Sequence, residues 1–110
     1  MKAKTIINAV NKFNKELNEY YTATGETELY EVDTTIEGET YPVEFITYWE
    51  FKDFIRVELD GTTWKIEDED SWEMDDFLDT LRYYRRRLRK SWRVWKSENP
   101  DAELEKEDEE

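Results

Sequence analysis

The side chains in this sequence that could do chemistry are mainly carboxylates, and they are concentrated just before and within the first turns of a predicted helix. They are Glu67, Asp68, Glu69, Asp70, Glu73, Asp75, Asp76 and Asp79. Two close pairs among them, Asp68 with Asp70 and Asp75 with Asp76, could hold Mg²⁺ or Ca²⁺, because hard cations take oxygen ligands. The spacing is not that of an EF-hand loop, which needs a central glycine and a terminal glutamate. We expect incidental cation binding here, with no dedicated metal site and no cofactor.

The composition excludes most catalytic centres. The 110 residues include no histidine and no cysteine, which rules out Cys/His zinc sites, disulfides, Ser-His-Asp triads and cysteine nucleophiles. None of the serines (Ser71, Ser91 and Ser97) lies in a nucleophile motif. The three glycines are too far apart to form a phosphate-binding loop. We therefore expect no catalytic residues and a protein that is not an enzyme.

A second group of side chains combines cations with aromatic rings in the segment 82–96. It consists of Arg82, Arg85, Arg86, Arg89, Trp92, Arg93 and Trp95. Such a segment could bind phosphates and stack on bases. It could also form a protein interface or a homodimer seam, because Trp and Arg dominate interface hot spots. The two tryptophans could instead pack against the first helix. A net charge of −13 repels nucleic acid at long range, so we place direct nucleic-acid binding second.

The net charge is unevenly distributed along the chain. It is +2 over residues 1–24, −16 over 25–79, +8 over 80–97 and −7 over 98–110. The helix macrodipole favours acids in the first turn of a helix and bases in its last turn, and acidic surfaces keep a protein soluble. Neither effect accounts for the size of the central acidic block. A nucleic-acid-binding protein presents a cationic channel to its ligand, and rigidly held carboxylates could occupy that channel.

In size and acidity the chain resembles small phage-encoded anti-defence proteins, which include anti-CRISPR proteins and anti-restriction DNA mimics. This resemblance implies a non-enzymatic inhibitor or binding module that acts in the cytoplasm of a host cell. Its acidic surface would engage a basic, nucleic-acid-handling protein such as a nuclease or a CRISPR effector. The alternative is a nucleic-acid-binding or dimerising protein that works through the segment 82–96.

The periodicity of apolar residues predicts the elements that position both groups. A helical stripe extends from Lys2 to about Thr22, and a period of two over 28–68 predicts four strands, with a hairpin turn at Asp60-Gly61. A long helix follows to about residue 97 and ends at Asn99-Pro100. We expect an α+β fold in the order α-β-β-β-β-α, a four-stranded antiparallel meander flanked by an N-terminal helix and a long C-terminal helix.

The same pattern predicts which strand residues face the core. One face carries Val43, Phe45 and Trp49, and a later strand turns Ile55, Val57 and Leu59 inward. The opposite sheet face is expected to be acidic and solvated. The long helix is expected to begin near Asp70 or Ser71, and Asp70, three residues before Glu73, is its predicted cap.

Residues 1–97 are expected to form one domain, and 98–110 an acidic, disordered tail. No run of residues approaches the roughly 20 apolar residues of a membrane span, and no signal peptide is recognisable at the N-terminus. We therefore expect a cytoplasmic protein that does not enter a membrane.

Overall fold

The computed structural model describes residues 3–101, which form two helices and five short strands. In chain order these are α1 (Lys4–Thr24), β1 (Glu28–Tyr30), β2 (Thr40–Pro42), β3 (Thr47–Glu50), β4 (Ile55–Leu59), β5 (Thr62–Ile66) and α2 (Trp72–Glu98). The α+β class is confirmed, with an N-terminal helix, antiparallel strands and a long C-terminal helix. The expectation for an acidic tail falls mainly on residues 102–110, outside the described residues.

The strands are divided between two antiparallel sheets, β1-β2 and β3-β4-β5, whereas the sequence pattern suggested one meander. The break between the two sheets lies at residues 43–46. There, backbone groups form hydrogen bonds with side chains of α1 and not with a neighbouring strand. The Asn14 side chain donates to the Ile46 carbonyl at 2.9 Å and accepts from the Ile46 N–H at 2.8 Å. The Tyr21 hydroxyl donates to the Val43 carbonyl at 2.7 Å. Because these groups are bonded to side chains of α1, they do not join a strand ladder.

This interruption also changes which residues face the core. Val43 and Ile46 are both buried, while Phe45 is 45% and Trp49 is 41% exposed. The prediction that Phe45 and Trp49 share a face with Val43 was therefore wrong. It assumed an unbroken alternation, and one irregular step in a strand moves every later side chain to the opposite face. The prediction for Ile55, Val57 and Leu59 is confirmed, since all three are buried.

The β4–β5 hairpin turns at Asp60-Gly61, as predicted. Asp60 has φ of 51° and Gly61 has φ of 84°, the left-handed conformations that a type I′ turn requires at both central positions. The Tyr84 hydroxyl of α2 donates to the Asp60 carboxylate. The turn is thereby attached to the long helix.

The long helix begins one residue later than the predicted cap. Ser71 is the N-cap, and its Oγ accepts from the Met74 N–H at 3.2 Å. The predicted cap, Asp70, lies in the preceding turn, where its N–H donates to the Asp68 carboxylate at 3.1 Å. At the other end the Asn99 N–H donates to the Trp95 carbonyl at 2.9 Å, which confirms the predicted stop. Within residues 3–101 no helix is long and apolar enough to cross a membrane.

Candidate functional site

Eight acids surround the start of α2, and we call them the acidic surface. They are Glu67, Asp68, Glu69, Asp70, Glu73, Asp75, Asp76 and Asp79. All are exposed except Glu73, which is half-buried. The structure places them in the loop after β5 and in the first two turns of α2. Within the described residues, no three acids are grouped closely enough to hold a metal ion.

Some of these carboxylates are used by the fold itself. Asp76 accepts a hydrogen bond from Trp64 Nε1 at 2.7 Å, and this contact links α2 to the outer strand β5. Asp79 pairs with Arg82 at 2.7 Å and Glu67 with Lys65 at 3.2 Å. Both ion pairs are well exposed, and exposed pairs contribute little to stability.

The carboxylates of Glu69, Asp70, Glu73 and Asp75 make no hydrogen bond or ion pair with any residue of the described range 3–101. The helix macrodipole favours Glu73 and Asp75, which lie in the first turn of α2, by about 0.3–1 kcal/mol each. It does not account for the neighbouring acids in the loop, which lie outside the helix. This part of the acidic surface is available to a partner.

Trp72 lies in the middle of the acidic surface and was not singled out in the sequence. It is 71% exposed, although a tryptophan side chain is usually largely buried. Its spacing to Asp75, Asp76 and Asp79 places all four on one face of the helix. The sequence did contain the signal, because Trp72 falls outside the buried stripe that begins with Met74. Asp76 and Asp79 on this face have partners within the chain, whereas Asp75 makes no hydrogen bond or ion pair with the described residues. Folding gives no reason for an apolar ring to be exposed among these carboxylates.

The acidic surface does not continue across the outer face of the three-stranded sheet, which differs from the predicted acidic face. Trp49, Arg56 and Lys65 are cross-strand partners there. The Arg56 guanidinium carbon lies 4.8 Å from the centroid of the Trp49 ring, a cation–π geometry. This cross-strand row on the sheet is therefore aromatic and basic, not acidic.

Several residues of the basic segment 82–96 are occupied by contacts within the chain. Arg86 pairs with Asp33 at 3.1 Å. Trp92 packs edge-on against Tyr20, with ring centroids 5.1 Å apart, and Trp95 packs edge-on against Trp92 at 6.3 Å. Both tryptophans are half-buried, so each combines packing against its neighbours with some exposed surface.

Another arginine of this segment, Arg87, was not among the predicted site residues, and its role is structural. It is 3% exposed. Its guanidinium donates to the carbonyls of Leu29 at 2.7 Å, Tyr30 at 3.0 Å and Tyr41 at 3.5 Å. Its position between Tyr84 and Ser91 on the buried side of α2 was the available sign that it does not face solvent.

The remaining cations form a concave site that we call the cationic pocket. It has a volume of about 310 Å³ and is lined by Val32, Arg86, Arg89, Lys90 and Arg93. Arg89 and Arg93 are exposed and make no hydrogen bond or ion pair with the described residues. Of the other predicted residues, Arg82 is paired with Asp79, and Arg85 has a buried Nε without a hydrogen-bond partner in the described range.

Comparison of the chain with protein-family models, with curated proteins and with solved structures gives no match. The function is therefore argued from the two surfaces themselves.

Proposed function

We propose that the protein is a non-enzymatic binding module that inhibits a basic, nucleic-acid-handling protein by occupying its nucleic-acid groove. The acidic surface would make the contact, with Trp72 as its apolar anchor. The observation that carries this proposal is the 71% exposure of Trp72, within three residues of Glu69, Asp70 and Asp75, whose carboxylates make no ion pair with the described residues. This combination is typical of an interface, which has an anchor and a charged rim.

The carboxylates suit a groove that evolved for a phosphate backbone. Duplex DNA carries one negative charge per about 1.7 Å of its axis, and its binding proteins present a matching density of cations. Eight acids within residues 67–79 supply negative charge at high density without a backbone that can be cut or unwound. Charge complementarity of this kind raises the association rate and makes it sensitive to salt.

Trp72 would add binding energy and selectivity that charge alone does not provide. Burying an aromatic ring in a partner contributes about 2 kcal/mol or more when the ring is a central anchor. Charge also steers many wrong partners to an acidic surface, whereas an apolar ring requires a complementary pocket. A nuclease or a CRISPR effector with an apolar recess in its cationic groove fits both features. On this proposal the chain would act as the small acidic anti-defence proteins of phages do, in the cytoplasm where such enzymes meet DNA.

A charge-altered variant tests the proposal. Glu69→Lys, Asp70→Lys and Asp75→Asn together raise the charge of the acidic surface by five without removing a hydrogen bond between side chains. Partners are captured from host lysate on the wild type and on this variant and identified by mass spectrometry. We expect a basic partner that the variant no longer retains and that duplex DNA displaces from the wild type.

The matched control applies the same change of charge elsewhere. Glu37→Lys, Glu44→Lys and Glu50→Gln alter exposed acids outside the acidic surface, and this variant should retain the partner. Binding that survives both the first variant and about 0.5 M salt would show that the acidic surface is only a solvated face.

A further inference from the structure

The cationic pocket is a second charged site, and it is independent of the proposed inhibitory surface. Its cations lie on the exposed side of α2 at helical spacings: Arg86 and Lys90 are four residues apart, as are Arg89 and Arg93. Side chains at such spacings are neighbours on a helix, and like charges there repel by about 0.2–0.5 kcal/mol per pair. The chain therefore holds four cations together at a cost to its own stability.

Little in the described part of the chain compensates this repulsion. Arg86 pairs with Asp33 at 3.1 Å, and this is the single ion pair that the described residues make with the pocket. Lys90 donates to the backbone carbonyl of Glu31 at 2.6 Å, a neutral acceptor. Arg89 and Arg93 contact no acid in the described range. The pocket retains a net positive charge in a chain whose net charge is −13.

The usual structural reasons for surface cations do not explain the pocket. The helix macrodipole acts mainly within the last turn, where Lys96 is the basic residue and Glu98 is the final helical residue. Arg86 and Arg89 lie 12 and 9 residues before Glu98, which is more than two turns from the end of the helix. Solubility does not require them either, because excess negative charge already serves that purpose.

The wall of the pocket that faces α2 is formed by residues 31–33, and contacts with α2 hold it in place. The Tyr83 hydroxyl donates to the Glu31 carboxylate, and the Lys90 and Arg86 contacts fix the backbone of Glu31 and the side chain of Asp33. Val32, between these two residues, forms the apolar wall of the pocket. The result is a concavity of about 310 Å³ with one fixed wall, within the lower range of small-ligand sites.

We propose that the cationic pocket binds phosphate groups. Arg89 and Arg93 would supply guanidinium forks, which match phosphate oxygens in a bidentate geometry. Lys90 would add a point charge, while Arg86 would keep its ion pair with Asp33. A terminal phosphate group carries about −1.5 to −2 charges at pH 7, more than a carboxylate, so it relieves more of the repulsion among the four cations. Each phosphate of a nucleic-acid backbone carries one negative charge, and successive phosphates could contact different cations of the pocket. The group can belong to a free phosphate compound or to a nucleic-acid backbone.

The test is a titration with inorganic pyrophosphate at constant ionic strength, followed by the amide chemical shifts of the protein. We expect saturable shifts confined to residues 31–33 and 86–93 at concentrations up to about 10 mM. Arg89→Gln with Arg93→Gln should weaken binding at least about tenfold. Both side chains lack contacts within the described chain, so this variant should remain folded. The control, Lys12→Gln with Lys15→Gln, removes the same charge from exposed positions on α1 and should leave the affinity within about twofold.

Two further titrations distinguish the source of the phosphate. A short single-stranded oligodeoxynucleotide that binds more tightly than pyrophosphate, through the same residues, assigns the pocket to a nucleic-acid backbone. A mononucleotide that binds as well as the oligonucleotide assigns it to a free phosphate compound. Absence of saturable binding, or equal weakening in the two glutamine variants, would overturn the proposal. None of these outcomes depends on the acidic surface, so the pocket and the proposed inhibition can fail separately.

Discussion

At the scale of single residues, two tyrosines of α2 connect the helix to acids on other elements. The Tyr83 hydroxyl donates to Glu31 and the Tyr84 hydroxyl donates to Asp60. Burial, and then the hydrogen bond to Glu31, raise the pKa of Tyr83 to about 12. Burial and the hydrogen bond to Asp60 also raise the pKa of Tyr84 well above its ordinary value. The fold therefore favours both tyrosines in the protonated state.

This preference predicts a loss of stability in alkali. A raised pKa in the folded state means that the unfolded chain releases its tyrosine protons first, at about pH 10. The stabilisation is complete below pH 10 and is lost as the pH rises toward 12 through the folded pKa of Tyr83. Urea unfolding measured from about pH 8 to 11 should show the free energy of unfolding falling above pH 10.

The variant Tyr83→Phe with Tyr84→Phe is the comparison for this prediction. It should be less stable than the wild type at neutral pH, because two hydrogen bonds are missing. Its stability should also decline less steeply in alkali, since two of the tyrosines with a raised pKa have been removed. Parallel pH profiles for the variant and the wild type would contradict the assignment.

At the scale of elements, α2 organises the molecule because it packs against β1, β5 and α1. The two-stranded sheet depends on it most directly. Arg87 donates to carbonyls of β1 and β2, and the Ser91 hydroxyl accepts from the Tyr30 N–H at 2.9 Å. A sheet of two strands is marginally stable alone. These buried hydrogen bonds from α2 therefore hold it in place.

Replacing Arg87 should destabilise the whole domain. Arg87→Met leaves the carbonyls of Leu29 and Tyr30 buried without their donor, and we expect a loss of about 2–4 kcal/mol in the free energy of unfolding measured in urea. Arg89→Met changes an exposed arginine on the same helix and should alter stability by no more than about 0.5 kcal/mol. Equal stabilities for the two variants would show that the Arg87 hydrogen bonds contribute nothing net.

The elements that the sequence predicted well are those whose pattern is local. The stripe of α1, with Ile6, Val10 and Phe13, is buried as its spacing indicated, and the Asp60-Gly61 turn follows from the conformations available to those residues. The break between β2 and β3 was not predictable in this way. It depends on Asn14, which lies 32 residues from Ile46 in the sequence, and nothing in the strand itself signals that contact.

The candidate site likewise combines features that local sequence signals predicted with features that depend on contacts between distant parts of the chain. The eight acids of the acidic surface were predictable because they are contiguous in the sequence, so that any fold would keep them together. The side of α2 that faces the core is marked by its apolar stripe, which already indicated that Trp72 is exposed and Arg87 is buried. The carbonyls of β1 and β2 that accept hydrogen bonds from Arg87 are set by tertiary packing, which the sequence did not signal. Composition suggested one basic helix surface, whereas the structure separates a buried, structural arginine from the cations that line the pocket.

At the scale of the whole molecule, the arrangement of charge matters more than its net value. The acidic surface lies at the N-terminal end of α2, and the cationic pocket lies along its second half. The last unpaired acid, Asp75, and the first cation of the pocket, Arg86, are 11 residues apart on α2. They are therefore about 16 Å apart along the helix axis, which is about two Debye lengths at physiological salt. The two surfaces can therefore bind different partners with little mutual screening.

The most direct test of the proposed inhibition is the dissociation constant of the captured partner for the wild type and for Trp72→Ser, measured by titration calorimetry. Ile36→Ser is the matched control, because Ile36 is 64% exposed and lies outside the acidic surface. We predict that Trp72→Ser weakens binding by about 2 kcal/mol, roughly 30-fold, with unchanged stability, and that Ile36→Ser binds as the wild type does. Equal dissociation constants for the wild type and Trp72→Ser would contradict the role of the acidic surface as an anchored interface.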